Sequence, residues 1–316
     1  MKAVFFGTPH YATTPIRALL DAGIDVSLIC TRPPRRAGRG RSSKPTPVAI
    51  FGREVGIPVF TPERLDSTAS SEILRWEADV YVVVAYGRFI PSELLAQPRL
   101  GVVNIHPSLL PRHRGPSPVA TAILEGDRHT GVTIMVLDDG MDTGPILLQS
   151  SPIEISPAAR SDELTIDLFD AGSRLLPEAL RGLESGNLSP VPQDDASATV
   201  TRLIKKEDGE INWQMASDEI VRMNRAFHPW PGTSTVWRDR VVKIVEADVG
   251  EPVGDVLPGM VFEAGDGDIR VAAGCGTSVK LLVVQAAGRR AMSAGDFALG
   301  RPDFVGSRLG AQLAGD

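Results

Sequence analysis

The chain has 316 residues, of which 42% are hydrophobic and 23% charged, and a formal net charge of −6. That length predicts two domains with a sizeable core, and the acidic balance excludes general affinity for polyanions while leaving local basic patches open. Two cysteines, Cys30 and Cys275, stand far apart in neither metal-like nor redox-like spacing, so Cys30 at the end of the apolar run VSLIC is expected to be a buried reduced thiol.

The N-terminus, MKAVFFGTP, has no signal-peptide layout, and no apolar run approaches the roughly 20 residues of a membrane span, which predicts a cytoplasmic protein. AVFF reads as a buried first strand ending at Gly7, PIRALLDAG as a helix with Pro15 in its first turn, and DVSLIC as a second strand. This opening is Rossmann-like, but GTPHYA carries only the first glycine of GxGxxG, so a dinucleotide site is weakly supported.

Residues 31–45, TRPPRRAGRGRSSKP, contain Arg32, Arg35, Arg36, Arg39, Arg41 and Lys44 and no acid. Prolines and glycines predict a loop without regular structure, and six cations in an acidic chain form a patch able to neutralise several phosphates. A solvated surface loop is the plain alternative. TPVAIFGREVG then reads as a helix, IPVF as a strand, SEILRWEA as a helix and DVYVVVAYG as a strongly buried strand. PSELLAQ is a brief helix before the strand GVVNIH, which Pro107 stops. Asn104 and His106, two apart, leave that strand on one face, at the kind of strand end where open α/β sheets bind ligands.

PVATAILEG reads as a helix and GVTIMVL as a strand. DDGMDTGP follows, a tight turn placing Asp142 between Gly140 and Gly144. PILLQSSPIEI returns as a strand, and residues 161–186 form a long helix that Pro177 is expected to kink or interrupt. Residues 187–208 lack a sustained apolar period and read as an interdomain linker. Beyond it one helix and a series of short strands with glycine-rich turns predict a small OB-like β-barrel. The expected organisation is an α/β chain: a Rossmann-like domain with a mostly parallel sheet over 1–186, the linker over 187–208, and the OB-like β-barrel domain over 209–316.

Asn104, His106 and Asp142 suit attack on a carbonyl. An amide and a protonated imidazole can donate to an oxyanion, and a carboxylate can orient that imidazole. No serine or cysteine is placed as a nucleophile, so the nucleophile is expected from the substrate, and an amine, with a reference pKa of about 7.7–8.0, is the natural one.

NIHPSLLPRHRG followed by DDGMDTGPIL resembles the folate-dependent formyltransferases. VFFGTP, RRAGRGR, VAYGRFIP, KKEDGEINW, AFHPWPG and RRAMSAGDF extend the resemblance over nearly the whole chain. The resemblance implies transfer of a formyl group from 10-formyltetrahydrofolate, without a metal, to the α-amine of methionine esterified to initiator tRNA. It implies catalytic roles for Asn104, His106 and Asp142, and a folate site at Ala85, Tyr86, Gly87, Arg88 and Phe89 with Ser108, Leu109, Leu110 and Pro111. Arg114 and Gly115 would complete the active-site loop. The tRNA acceptor stem would meet Arg39 first, then Arg41, Lys44 and Arg36, with Lys205 and Lys206 in the linker. The enzyme would act as a monomer, away from membranes.

The sequence departs from the family pattern at His113, Pro116 and Ser117. From residue 209 onward 11 lysines and arginines stand against 14 carboxylates, a net of −3, so any tRNA contact there must be one-sided. A sugar-amine formyltransferase would use the same trio, a folate hydrolase would send water to the same carbonyl, and an RNA-binding protein would leave the trio idle. A metal-dependent hydrolase built on His106, His113 and the aspartates is disfavoured because the spacing fits no compact ligand set.

Overall fold

The computed structural model describes residues 1–37, 42–265 and 267–310. They gather into two compact units. The first is Met1–Pro118, His129–Glu154 and Leu164–Arg202; the second is Val119–Arg128, Ile155–Glu163 and Leu203–Asp316. Residues 187–202, most of the stretch expected to link two domains, therefore fold with the first unit.

In chain order the first two-thirds holds β1 (Lys2–Gly7), α1 (Thr13–Asp21), β2 (Asp25–Cys30), β3 (Arg35–Ala37), β4 (Ser42–Lys44), α2 (Pro47–Glu54), β5 (Val59–Phe60), α3 (Ser67–Leu74), β6 (Val80–Val84), α4 (Ser92–Leu95), β7 (Val102–His106), α5 (Pro118–Glu125), β8 (His129–Thr130), β9 (Thr133–Val136), β10 (Ile146–Gln149), β11 (Ile153–Glu154) and α6 (Ser161–Ser185). Seven strands form one sheet in the order β10-β9-β7-β6-β1-β2-β5. The pairs among β5, β2, β1, β6 and β7 are parallel, while β7–β9 and β9–β10 are antiparallel. The strand order runs outward in both directions from β1, so the switch point lies between β1 and β6.

Strand β6 is buried at all five positions, as a central parallel strand requires. One face of the sheet carries Val4, Phe6, Leu28, Cys30, Tyr81, Val83 and Val102, covered by Ile73 of α3 and Leu94 of α4. Phe6 packs edge-on to Tyr86 with ring centroids 5.5 Å apart. Helix α3 begins at Ser67 rather than at the expected SEILRWEA because Asp66 caps it, its Oδ1 accepting from the Ala69 N–H at 3.0 Å.

Helix α6 runs unbroken through Pro177, against the expected interruption. Leu164, Leu168, Phe169, Leu176 and Leu180 are all buried along it. At about 1.5–3 kcal/mol for each such side chain, that stripe outweighs the roughly 3 kcal/mol an internal proline costs. A Cβ on Gly172 would collide with Ile105 and Val132, so glycine lets α6 approach the back of β7 and leaves Asn104 and His106 on the opposite face.

The basic stretch is not wholly irregular. β3 and β4 pair antiparallel, with Arg35 opposite Lys44 and Arg36 opposite Ser43. The two strands occupy the segments free of proline and glycine, which is why ladder pairing survives there.

The second unit contains α7 (Ser217–Ala226), β12 (Thr233–Trp237), β13 (Arg240–Gly250), β14 (Val261–Glu263), β15 (Ile269–Ala272), β16 (Ser278–Ala286), β17 (Met292–Ser293) and α8 (Ala294–Leu299). Its strands form a curled antiparallel sheet in the order β12-β13-β16-β15-β14, with β17 on β16. Register shifts around Glu246 bend the long strand β13. Asn224 of α7 donates to Thr233 Oγ1 at 2.7 Å and to the Ile244 carbonyl at 2.8 Å, tying the helix to the sheet. Among the described residues no helix is long and apolar enough to cross a membrane.

Candidate active site

Strand β7 delivers Asn104 and His106 to one face, and Pro107 ends the ladder behind them. His106 is buried. Its Nε2 lies 2.9 Å from the carbonyl oxygen of His113. A carbonyl only accepts, so Nε2 carries a proton and Nδ1 holds the lone pair of the neutral ring. Nδ1 faces Asp142, 3.6 Å from Oδ2. That separation is too long for a hydrogen bond and fits a lone pair opposite a carboxylate. Burial pushes the imidazole below the usual histidine range, against the opposing pull of Asp142 and of the His113 carbonyl; the nearby His113 ring adds to the lowering.

Asp142 arrives by an indirect route. Because β9 is antiparallel to β7, the β9–β10 turn starts at the far end of β7, where the Leu137 N–H donates to the Val102 carbonyl at 2.7 Å. The turn folds back over the Asn104/His106 face. Gly144 makes this possible, since a Cβ there would overlap the Val136 carbonyl. Asp142 itself holds a left-handed φ of 55°, and its Oδ2 accepts from the Gly115 N–H at 2.8 Å. His113 (φ 58°) is also left-handed, so both groups that flank the imidazole stand on strained non-glycine residues, and Ala85 (φ 48°) is a third left-handed residue just past β6.

Asn104 is half-buried and its side-chain amide makes no hydrogen bond among the described residues. A donor left open beside a buried imidazole is what an incoming oxyanion needs.

The register Val83↔Asn104 means that the chain leaves β6 at Ala85 beside His106. Of the residues expected to bind folate, Tyr86 is buried in the sheet core with its hydroxyl 3.7 Å from Cys30 Sγ, so only its backbone faces the loop. Gly87 is exposed at φ 75°, and Arg88 donates to the Pro62 carbonyl at 3.0 Å. Phe89 is 73% exposed. In the second loop Ser108 Oγ donates to the Arg112 carbonyl at 2.6 Å, and Leu110 is buried. Thr133 Oγ1 accepts from the Leu110 N–H at 3.0 Å and donates to the Ser108 carbonyl at 2.7 Å. Leu109 and Pro111 remain partly accessible. Arg114, expected in the active-site loop, is 6% exposed, with its guanidinium turned onto Gln193 and Asp195.

Arg39 and Arg41 lie outside the described residues. Arg36 is placed on β3 by its backbone, and Lys44 is exposed on β4. Lys205 and Lys206 are exposed in the second unit, with the Lys205 N–H donating to Asp208 at 2.7 Å.

Sequence reasoning missed Gln193, Thr199 and Thr201. The Arg114 N–H donates to the Thr199 carbonyl at 2.9 Å, and the Thr201 N–H donates to the Arg114 carbonyl at 2.7 Å. The His113 N–H donates to Thr199 Oγ1 at 2.8 Å. An aperiodic run of small polar residues gives no periodic signal, so nothing marked them.

The formyl transferase family model matches residues 1–180, and its C-terminal domain model matches residues 203–302. The methionyl-tRNA formyltransferase of Roseiflexus sp. (strain RS-1) is 46% identical over 100% of this chain and 98% of its own length. That of Chloroflexus aurantiacus (strain ATCC 29366 / DSM 635 / J-10-fl) is 43% identical over 93% of this chain and 94% of its own. Among solved structures, the sugar 3N-formyl transferase WlaRD has a TM-score of 0.65 at 19% identity, covering 92% of this chain and 99% of its own. HypX from Aquifex aeolicus, solved in complex with tetrahydrofolic acid, has a TM-score of 0.65 at 18% identity, covering 94% of this chain and 47% of its own. With family models over both halves and relatives of this identity along its whole length, the chain belongs to the methionyl-tRNA formyltransferase family of formyl transferases.

Proposed function

We propose that the protein is a cytoplasmic, monomeric enzyme that moves the formyl group of 10-formyltetrahydrofolate to the α-amine of methionyl initiator tRNA, without a metal. The observation that carries the chemistry is the open Asn104 amide beside an imidazole held between Asp142 and the His113 carbonyl. The neutral amine attacks the formyl carbon, and the Asn104 amide donates to the oxyanion that forms. His106 Nδ1 takes the proton the amine loses. The resulting imidazolium is stabilised on one side by Asp142 and keeps its Nε2 donation to the His113 carbonyl on the other. The carbon–N10 bond then breaks, and N10 of tetrahydrofolate receives that proton from Nδ1. A neutral resting imidazole, favoured by burial, is the form this sequence requires.

For the acceptor, full-length identity to relatives named for methionyl-tRNA supports the reading over the sugar-amine alternative. The folate would lie along the 85–89 backbone and the 108–111 loop. The tRNA acceptor stem would meet the basic stretch through Arg36, Arg39, Arg41 and Lys44, and also Lys205 and Lys206. The division into a catalytic domain to 186, a connecting segment over 187–208 whose residues 187–202 pack with the first unit, and a C-terminal domain from 209 is part of the same proposal. Incubation with 10-formyltetrahydrofolate and methionyl-tRNA should give formyl-methionyl-tRNA, with free methionine and an amino-sugar nucleotide as competing acceptors. Preferential formylation of the amino sugar would overturn the assignment.

A further inference from the structure

We infer that Gln193 is a positioning residue that sets Asp142 against His106 by tying the Asp142 turn to the Arg114 loop. The inference rests on the proposal that His106 and Asp142 carry the transfer. Gln193 Nε2 donates to the carbonyl oxygens of Asp142, at 2.8 Å, and Gly144, at 2.7 Å. Its Oε1 accepts from Arg114 Nε at 2.9 Å. Both amide hydrogens and the amide oxygen are thus engaged, and each engagement falls next to a group that touches the catalytic pair. The residue before Arg114 is His113, whose carbonyl takes the His106 Nε2 proton. The residue after it is Gly115, whose N–H holds Asp142 Oδ2. One side chain therefore spans the two sides between which the imidazole is held.

Asp142 needs such support. Its left-handed backbone persists only where the surroundings over-determine it. The carboxylate has one backbone donor, and the peptide that follows Asp142 is held through its carbonyl by Gln193. Thr199 and Thr201 hold the loop by its backbone, but the Asp142 and Gly144 carbonyls are reached by Gln193. The Arg114–Asp195 pair adds little of its own, since Asp195 is exposed.

Two variants separate positioning from bulk packing. Gln193→Met keeps the length and removes every hydrogen bond. Gln193→Glu keeps an acceptor for Arg114 and loses both donations. In steady-state formylation both should lower kcat about 10–100-fold, the size of effect a small misplacement of a reacting group produces. KM for folate and for tRNA should stay within roughly threefold of the parent, because binding groups are untouched. Placing Gln193→Met on an Asp142→Asn background should cost little more than Asp142→Asn alone, since both act through one carboxylate.

A fall in kcat matched by an equal rise in the folate KM, or additive losses in the double variant, would overturn the inference in favour of a structural role. So would a kcat within about twofold of the parent in both single variants. If Gln193→Met fails to fold, Gln193→Glu alone decides by the same criteria. His106→Gln and Asp142→Asn measured alongside keep the two claims apart. Near-parent kcat in that pair removes the underlying proposal, whereas their collapse beside active Gln193 variants removes only this one.

Discussion

His106 donates through Nε2 to the carbonyl oxygen of His113 at 2.9 Å, seven residues further along the chain. The bond settles the neutral tautomer, and it leaves Nδ1 as the one imidazole atom able to exchange a proton on the Asp142 side. Ring orientation is thus written into a backbone carbonyl held by a left-handed residue, not into a carboxylate hydrogen bond of the usual triad kind.

A buried neutral histidine has a signature in stability. The folded-state pKa of His106 lies below its ordinary value of 6.5, mainly through burial. As pH falls through that ordinary value the unfolded chain takes up the proton first, so unfolding gains protons and stability drops. The contribution is fully present above 6.5 and lost as pH falls through the depressed folded value. His106→Gln should therefore show a shallower fall in Tm between about pH 7 and about pH 5 than the parent. Parallel Tm curves for the two proteins would contradict a neutral buried imidazole.

Asp142→Asn tests the charge opposite Nδ1. Asparagine tolerates the left-handed region and retains an acceptor for the Gly115 N–H, so the turn should survive. What disappears is the negative charge that stabilises an imidazolium. Turnover should fall on the order of a hundredfold while Tm stays within a few degrees of the parent. Asp142→Ala should lose the Gly115 bond as well and melt measurably lower. Equal Tm for Asn and Ala would mean that the carboxylate does not anchor the loop.

Much of this was legible in the sequence because it depends on local rules. AVFF, DVSLIC and DVYVVV are apolar runs of strand length, and they became the buried parallel strands β1, β2 and β6. The two-residue spacing of Asn104 and His106 fixed their shared face, and Pro107 fixed the end of the strand. Tyr86 was harder, since the expected folate loop and the last core residue of the sheet are the same segment, and only packing shows the ring facing Phe6 and Cys30. The role of residues 193–201 was not legible at all. Their long-range hydrogen bonds reach 49–88 positions back along the chain, and nothing in PVPQDDASATVT encodes its distant partners. The continuity of α6 through Pro177 was likewise decided by a tertiary face, which sequence propensity does not contain.

The two cysteines should behave oppositely. Cys275 is exposed, whereas Cys30 is buried and its thiol is pushed up to about 12 by burial. Because the thiolate is the reactive form, a disulfide reagent near neutral pH should titrate one thiol rapidly in the folded protein and both in denaturant. Cys275→Ser should abolish the fast phase. A fast phase surviving in that variant would show that the β2 end opens on the timescale of the reagent.

The tRNA assignment can be read from salt. Arg39 lies outside the described residues, so its role rests on the resemblance and on the β3–β4 hairpin that flanks it. If Arg39 meets a phosphate, Arg39→Ala should raise KM for methionyl-tRNA and make its logarithmic dependence on salt shallower by roughly 0.7–0.9. Lys44→Ala should act in the same direction, because Lys44 is exposed on β4 of that hairpin. Neither should change the folate KM, because both lie outside the 85–89 and 108–111 segments proposed to hold folate. Arg75→Ala removes a cation that is 76% exposed and paired with Glu72 on α3, so it controls for the loss of net charge alone. A base contact by Arg39 would instead raise KM by a similar factor at every salt concentration. An unchanged slope together with an unchanged KM would remove Arg39 from the tRNA site and leave Lys205 and Lys206 as the cations to test.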